Sequence, residues 1–212
     1  FMSDLKNNRD KWVAFAVEIQ SIAQAGLTYG HDKYDLERYE RLREISAEML
    51  ACKTDIPLEK VKGLFCNETG YQTPKVDTRA AIFKDGKILL VHENKGTWSL
   101  PGGWCDVNQS IAENTRKETL EEAGLEVSTD RLIAVQDRNK HNKPLYAYGI
   151  VKVFLLCSVK SGAFAENIET TESRYFSEDE IPENLAEEKV NKEQIRMCFR
   201  ANEDENWKVL FD

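Results

Sequence analysis

Residues 101–127 read PGGWCDVNQSIAENTRKETLEEAGLEV. This stretch constrains the fold more tightly than any other. Gly102 and Gly103 permit backbone shapes that other residues resist. Ser110 followed by Glu113 is a capping box, so a helix should start near Ile111, and Gly124 is placed to end it. Glu118, Glu121 and Glu122 then lie three and four residues apart, on one face of the last turns. Like charges at that spacing cost roughly 0.2–0.5 kcal/mol per pair, and the negative end of the helix dipole adds to the cost. A face turned to solvent would relieve part of it. A hard divalent cation, Mg²⁺ or Mn²⁺, bound through oxygen would relieve more, and could bridge phosphate oxygens and activate a water.

The surrounding sequence places this loop and helix in an α/β context. TRAAIFKDGKILLVHE holds two apolar runs around Asp85-Gly86, a hairpin signal. RLIAVQDR reads as a further strand, residues 145–159 as a long one and 174–176 as a short one. Residues 160–180 are acidic and loop-like, and a last helix carries Ile195 and Phe199 on one face. Upstream, residues 4–25 form a helix by the spacing of Trp12, Phe15, Ala16, Ile19 and Ala23, with Gly26 as its stop. A second helix runs over 35–53, capped by Asp35, and a short one is expected over 58–65. The expected organisation is a helical hairpin over 1–55, a linker over 56–75 and an α/β domain over 76–212. Two amphipathic helices bury little alone and need a partner surface, most simply a second copy of the chain.

Composition narrows the function. The formal net charge of −8 argues against a general nucleic-acid binder. No apolar run approaches the roughly 20 residues that span a bilayer, and no secretory signal is visible. Five cysteines without a CxxC pair argue against a zinc site or disulfide framework and for a reducing, cytoplasmic setting.

The motif resembles the Nudix box, G-x5-E-x7-R-E-U-x-E-E-x-G-U with U aliphatic. Gly103, Glu118, Glu121, Glu122, Gly124 and Leu125 match. Gln109 stands at the first glutamate, Lys117 at the arginine and Thr119 at the first aliphatic position. The resemblance continues through GGW-D at residues 102–106 and RYFSEDEIPEN near the end. The N-terminal helices resemble the extension of a Nudix subgroup described as acting on ADP-ribose, CDP-choline and similar nucleoside diphosphate derivatives. The resemblance implies an α/β/α sandwich with a mixed sheet. It also implies Mg²⁺-assisted hydrolysis of the diphosphate, with Mn²⁺ as a substitute. Carried over by position, Glu118, Glu121 and Glu122 are the metal ligands, with Glu121 and Glu122 needed for turnover. AENIETTES offers Glu166, Glu169 and Glu172 as the base for the attacking water, with Glu169 or Glu172 favoured.

Other residues carry paired readings. Gly103 belongs to the substrate loop. QDRNKHNKP, residues 136–144, gathers Arg138, Lys140, His141 and Lys143, which either contact substrate or form an exposed turn closed by Pro144. Trp98 and Trp104 either stack on a base or pack in the core, with packing favoured. Tyr29 and Tyr34 pack within the hairpin or reach a partner's site. Cys105 has no base beside it and is not a nucleophile. Gln109 and Lys117 keep a second class of function in view, a non-catalytic nucleotide-binding or regulatory module. Retention of all three core glutamates favours turnover.

Overall fold

The computed structural model describes residues 2–53, 57–65 and 69–212; Cys66 lies outside them. The chain divides into two compact units. One comprises Phe1–Pro74 with Leu145–Gly149, the other Lys75–Pro144 with Ile150–Asp212.

The first unit is helical: α1 (Met2–Tyr29), α2 (Lys33–Lys53) and α3 (Leu58–Phe65). Ala16, Ala47, Leu50 and Val61 form its buried centre, with Val13, Met49, Leu58 and Ala147 packed around them. Several details depart from expectation. α1 runs through Gly26, because the Tyr39 ring of α2 lies where a side chain at 26 would stand. The glycine therefore serves a close helix crossing. Asp32, not Asp35, caps α2: its Oδ1 accepts from the backbone N–H groups of Tyr34 (2.9 Å) and Asp35 (3.1 Å). The stretch expected as a linker belongs with the helices, since Val61 of α3 completes their core. On α1 the small residues Ala16 and Ala23 face inward. The bulky Trp12, Phe15, Ile22 and Tyr29 lie exposed on the outside.

The second unit runs β1 (Lys75–Lys84), β2 (Lys87–Glu93), β3 (Trp98–Ser99), α4 (Ile111–Ala123), β4 (Leu125–Asp137) and α5 (Arg138–His141). It continues with β5 (Ile150–Gly162), β6 (Thr170–Phe176), α6 (Lys192–Glu203) and β7 (Leu210–Phe211). The sheet is mixed. Its order is β3-β2-β1-β5-β4-β7, with β6 paired to β2. β1 and β5 are parallel, while β4 and β5 are antiparallel. Alternation along the central strands gives each sheet face its own core. Ala80, Ile82, Val153, Leu155 and Cys157 join Ala123 of α4 on one face. Ala81, Phe154 and Ile133 join Ile195, Cys198 and Phe199 of α6 on the other. This is the α/β/α sandwich. The Asp85-Gly86 turn closes the β1–β2 hairpin, and both residues have positive φ. β5 starts at Ile150, five residues later than its apolar run suggests, because Leu145–Gly149 belongs to the helical unit.

A charged network sits inside this core. Asp77 on β1 receives two parallel hydrogen bonds from Arg79, Nη2 to Oδ1 at 2.7 Å and Nε to Oδ2 at 3.0 Å, and one from Lys152 Nζ on β5 at 2.6 Å. All three residues are at most 4% exposed. Arg79 Nη1 also donates to the Leu100 carbonyl at 3.1 Å. Burial alone would raise the Asp77 pKa, but the two cations outweigh it and hold the group below the usual carboxylate range. Replacing Asp77 by Asn should leave two buried cations uncompensated. We expect a loss of about 3–5 kcal/mol in urea-unfolding free energy; a loss below about 1 kcal/mol would mean the network contributes little.

Candidate active site

The loop Pro101–Cys105 lies along β1 as a pseudo-strand. Ala80 N–H donates to Pro101 O (2.8 Å), Thr78 N–H to Gly103 O (2.9 Å) and Cys105 N–H to Val76 O (2.9 Å). Gly102 has φ 143°, and any side chain there would collide with the Thr78 carbonyl. A side chain at Gly103 would collide with Glu118 Oε2. The two glycines thus let the β1 backbone approach on one side and a carboxylate on the other.

α4 starts and stops where its sequence dictates. Ser110 and Glu113 form the reciprocal capping box, and Gly124 closes the helix at φ 66°. Asn114 Nδ2 donates to Thr78 Oγ1 at 2.9 Å, and its Oδ1 accepts from Asp106 N–H at 3.3 Å, which ties the helix to the loop.

The three box glutamates differ in environment. Glu122 is 5% exposed, and its Oε2 accepts from Gly102 N–H at 2.8 Å. Burial pushes its pKa up to about 7, against the pull of Arg79 and of the Gly102 hydrogen bond. Glu118 is largely enclosed, and burial raises its pKa too, opposed by Lys117. Glu121 is half-exposed. Lys117 Nζ lies 3.0 Å from Asp106, 3.2 Å from Glu118 and 3.8 Å from Glu121. Hydrogen bonds to Asp106 and Glu118 raise its pKa. The lysine takes two separate acceptors in place of an arginine's parallel pair. Gln109 N–H donates to the Asp106 carbonyl at 3.0 Å. Gln109 Oε1 is buried without a hydrogen-bond partner.

Three carboxylates already share one positive charge here, so their chemistry suits a cation. Among the described residues no group of three or more His, Cys, Asp or Glu side chains is placed to hold a metal ion.

The remaining expected residues fall elsewhere. Glu166, Glu169 and Glu172 are exposed. Glu169 N–H donates to Asn167 Oδ1 at 3.0 Å, and the neighbouring Thr170 hydroxyl donates to the Glu122 carbonyl at 2.7 Å. Glu172 on β6 stands opposite His92, 3.8 Å from Arg174. Arg138 departs from the substrate-contact expectation. It is 1% exposed and donates to the carbonyls of Glu188 (3.2 Å) and Pro144, so it braces its own loop. His141 Nε2 lies 3.0 Å from Asp212 Oδ1, and Lys140 is exposed. Trp98 is core, as favoured; Trp104 departs from that reading and is half-exposed. Sequence reasoning missed Asp77, Arg79, Lys152, Glu93 and Lys189. The signal for the first two was a pair of charges two residues apart in a strand that otherwise reads as core.

Two family models match the chain. Residues 10–65 match the UDP-X-like N-terminal oligomerisation domain, and residues 73–198 match the NUDIX domain. The chain belongs to the Nudix family. It is 41% identical over 203 residues to "Putative ADP-ribose pyrophosphatase YjhB" of Bacillus subtilis (strain 168), covering 95% of this chain and 97% of the relative. An ADP-ribose pyrophosphatase structure from Streptococcus suis 89-1591 is 49% identical, with a TM-score of 0.62 over 66% of this chain and 100% of that one. A UDP-X diphosphatase structure is 34% identical, also with a TM-score of 0.62, over 95% of this chain and 98% of that one. Nudix hydrolases typically use a divalent metal. Among the described residues no helix is long and apolar enough to cross a membrane.

Glu122 sets a pH dependence. Its folded pKa lies above the ordinary value of 4.5, so the stability linked to its proton is full below about 4.5 and is lost as pH rises through about 7. If Glu122 is a metal ligand, as the family pattern implies, a divalent cation would compete with that proton. Stabilisation of the protein by Mn²⁺ should therefore be several-fold larger at pH 7.5 than at pH 5.5 in thermal melts. Glu122→Gln should remove the difference, and equal shifts at both pH values would refute it.

Proposed function

We propose that this Nudix hydrolase is a Mg²⁺-dependent pyrophosphohydrolase of nucleoside diphosphates joined to a second moiety, with ADP-ribose as the leading substrate. The observation that carries the reading is the acidic end of α4. Buried Glu122 and enclosed Glu118 sit against a glycine loop that leaves space for nothing bulkier. Near-full-length likeness to a protein named as an ADP-ribose pyrophosphatase supports the substrate. A UDP-linked substrate is the second reading, favoured by the family description matched at residues 10–65 and by the solved diphosphatase covering 95% of the chain. No relative described above speaks for CDP-choline.

Glu118, Glu121 and Glu122 would hold the metal, which supplies charge neutralisation on the phosphates and a more acidic water. Gly102 N–H fixes one oxygen of Glu122, so the remaining oxygen is free to act. Lys117 steadies Glu118. Glu169 is the proposed base, supported by the anchorage of Thr170 to the Glu122 carbonyl. Lys140 is an exposed cation of its loop available to the second moiety. The products are a nucleoside monophosphate and a phosphorylated partner.

The N-terminal unit assembles as a homodimer in this proposal. Phe15, Ile22 and Tyr29 recur every seven residues, with Trp12 one turn before Phe15. Such a stripe fits pairing with a second helix, and the matched oligomerisation domain covers it.

Turnover of ADP-ribose, a UDP-sugar and CDP-choline with Mg²⁺ tests the activity. Glu122→Gln should cut kcat by at least about 100-fold, in line with contributions of roughly 10²–10⁴ for such groups. An unchanged rate would reject the site, and tight binding of one compound without any cleavage would favour the non-catalytic module. Phe15→Asp combined with Ile22→Asp should yield a monomer in light scattering; a persisting dimer would move the interface elsewhere.

A further inference from the structure

Glu93 and Lys189 form an ion pair that sequence reasoning did not anticipate. Lys189 Nζ lies 2.6 Å from Glu93 Oε1; the lysine side chain is 34% exposed and the glutamate 9%. Both ends are fixed to the active site. Glu93 ends β2 and pairs with Thr170, whose hydroxyl bonds the Glu122 carbonyl. Lys189 sits in a turn closed by its own N–H to Ala186 O at 2.7 Å. That turn hangs on β3, where Ala186 N–H donates to Trp98 O and Trp98 N–H to Asn184 O, both at 2.9 Å. Leu100 and the glycine loop follow directly after β3.

We propose that Lys189 binds the diphosphate of the substrate and that Glu93 positions it. Desolvating a carboxylate can cost as much as its ion pair returns, so stability alone is a weak reason to bury Glu93. A buried carboxylate holding a part-exposed ammonium is a way to fix the direction of a flexible side chain. An ammonium has three donors, and Glu93 engages one of them. Arg79, the cation that reaches the Leu100 carbonyl before the glycine loop, is 3% exposed and committed to Asp77. Lys189 is therefore the member of this group that an incoming phosphate can reach.

The inference rests on the diphosphate-hydrolase reading, and the test separates the two. Lys189→Gln, Lys189→Arg and Glu93→Gln are compared with the unmodified protein. The measurements are ADP-ribose kinetics with Mg²⁺ and calorimetric affinity for methylene-bridged ADP-ribose, which cannot be cleaved. Lys189→Gln should raise KM and weaken analogue binding by about tenfold or more, the range of a charge-assisted hydrogen bond, with a smaller change in kcat. Lys189→Arg should recover most of the loss, because it restores the charge. Glu93→Gln should raise KM in the same direction. Values within about twofold of the unmodified protein for Lys189→Gln would overturn the proposal. Should that variant fail to fold, unchanged KM and affinity in Glu93→Gln would overturn it instead. Absence of turnover by the unmodified protein would strike the function reading alone, since the affinity comparison needs no turnover.

Discussion

The bidentate hold of Arg79 on Asp77, braced by Lys152, is the contact on which the site depends. Asp77 and Arg79 lie on the strand whose backbone carries the glycine loop, and Arg79 reaches the Leu100 carbonyl just before that loop begins. Buried charges survive only when paired and hydrogen-bonded. Here the buried Arg79 and Lys152 share Asp77, and the buried Glu93 pairs with the part-exposed Lys189. Burial disfavours ionisation throughout, and it depresses Lys152 to about 8 even beside Asp77. Burial lifts Glu122 to about 7, so this carboxylate exchanges its proton near neutral pH.

Around that network each local device has a task. The capping box and Gly124 fix the length of α4, so its acidic face ends level with the loop. Gly102 and Gly103 remove the two side chains that would separate β1, loop and helix. Lys117 and Asp106 then supply a smaller, looser version of the arginine–carboxylate contact of the family pattern. The acidic cluster is carried by α4, while its electrostatic setting comes from β1, β2, β5 and the turn before α6.

Much of this was legible locally. Ser110, Glu113 and Gly124 act through neighbours three or four residues away, and Asp85-Gly86 dictates its own turn. The failures occurred where a distant residue decided. Gly26 reads as a helix stop until Tyr39 is seen packed over it. Leu145–Gly149 reads as strand because it is apolar, yet Ala147 is bound for the helical core. Arg138 reads as a phosphate contact until its loop closes around it.

The sequence by itself determined the acidic helix, its caps and the glycine approach, because their spacings are set by the 3.6-residue helix repeat and by φ preferences. It also carried the family, through the match of those spacings. Only the tertiary structure decided which charges meet inside. Glu93 and Lys189 are 96 residues apart and Asp77 and Lys152 are 75 apart. Such pairs leave no periodic trace in the chain, because a salt bridge depends on distance in space and on the exclusion of water, and sheet topology alone creates both.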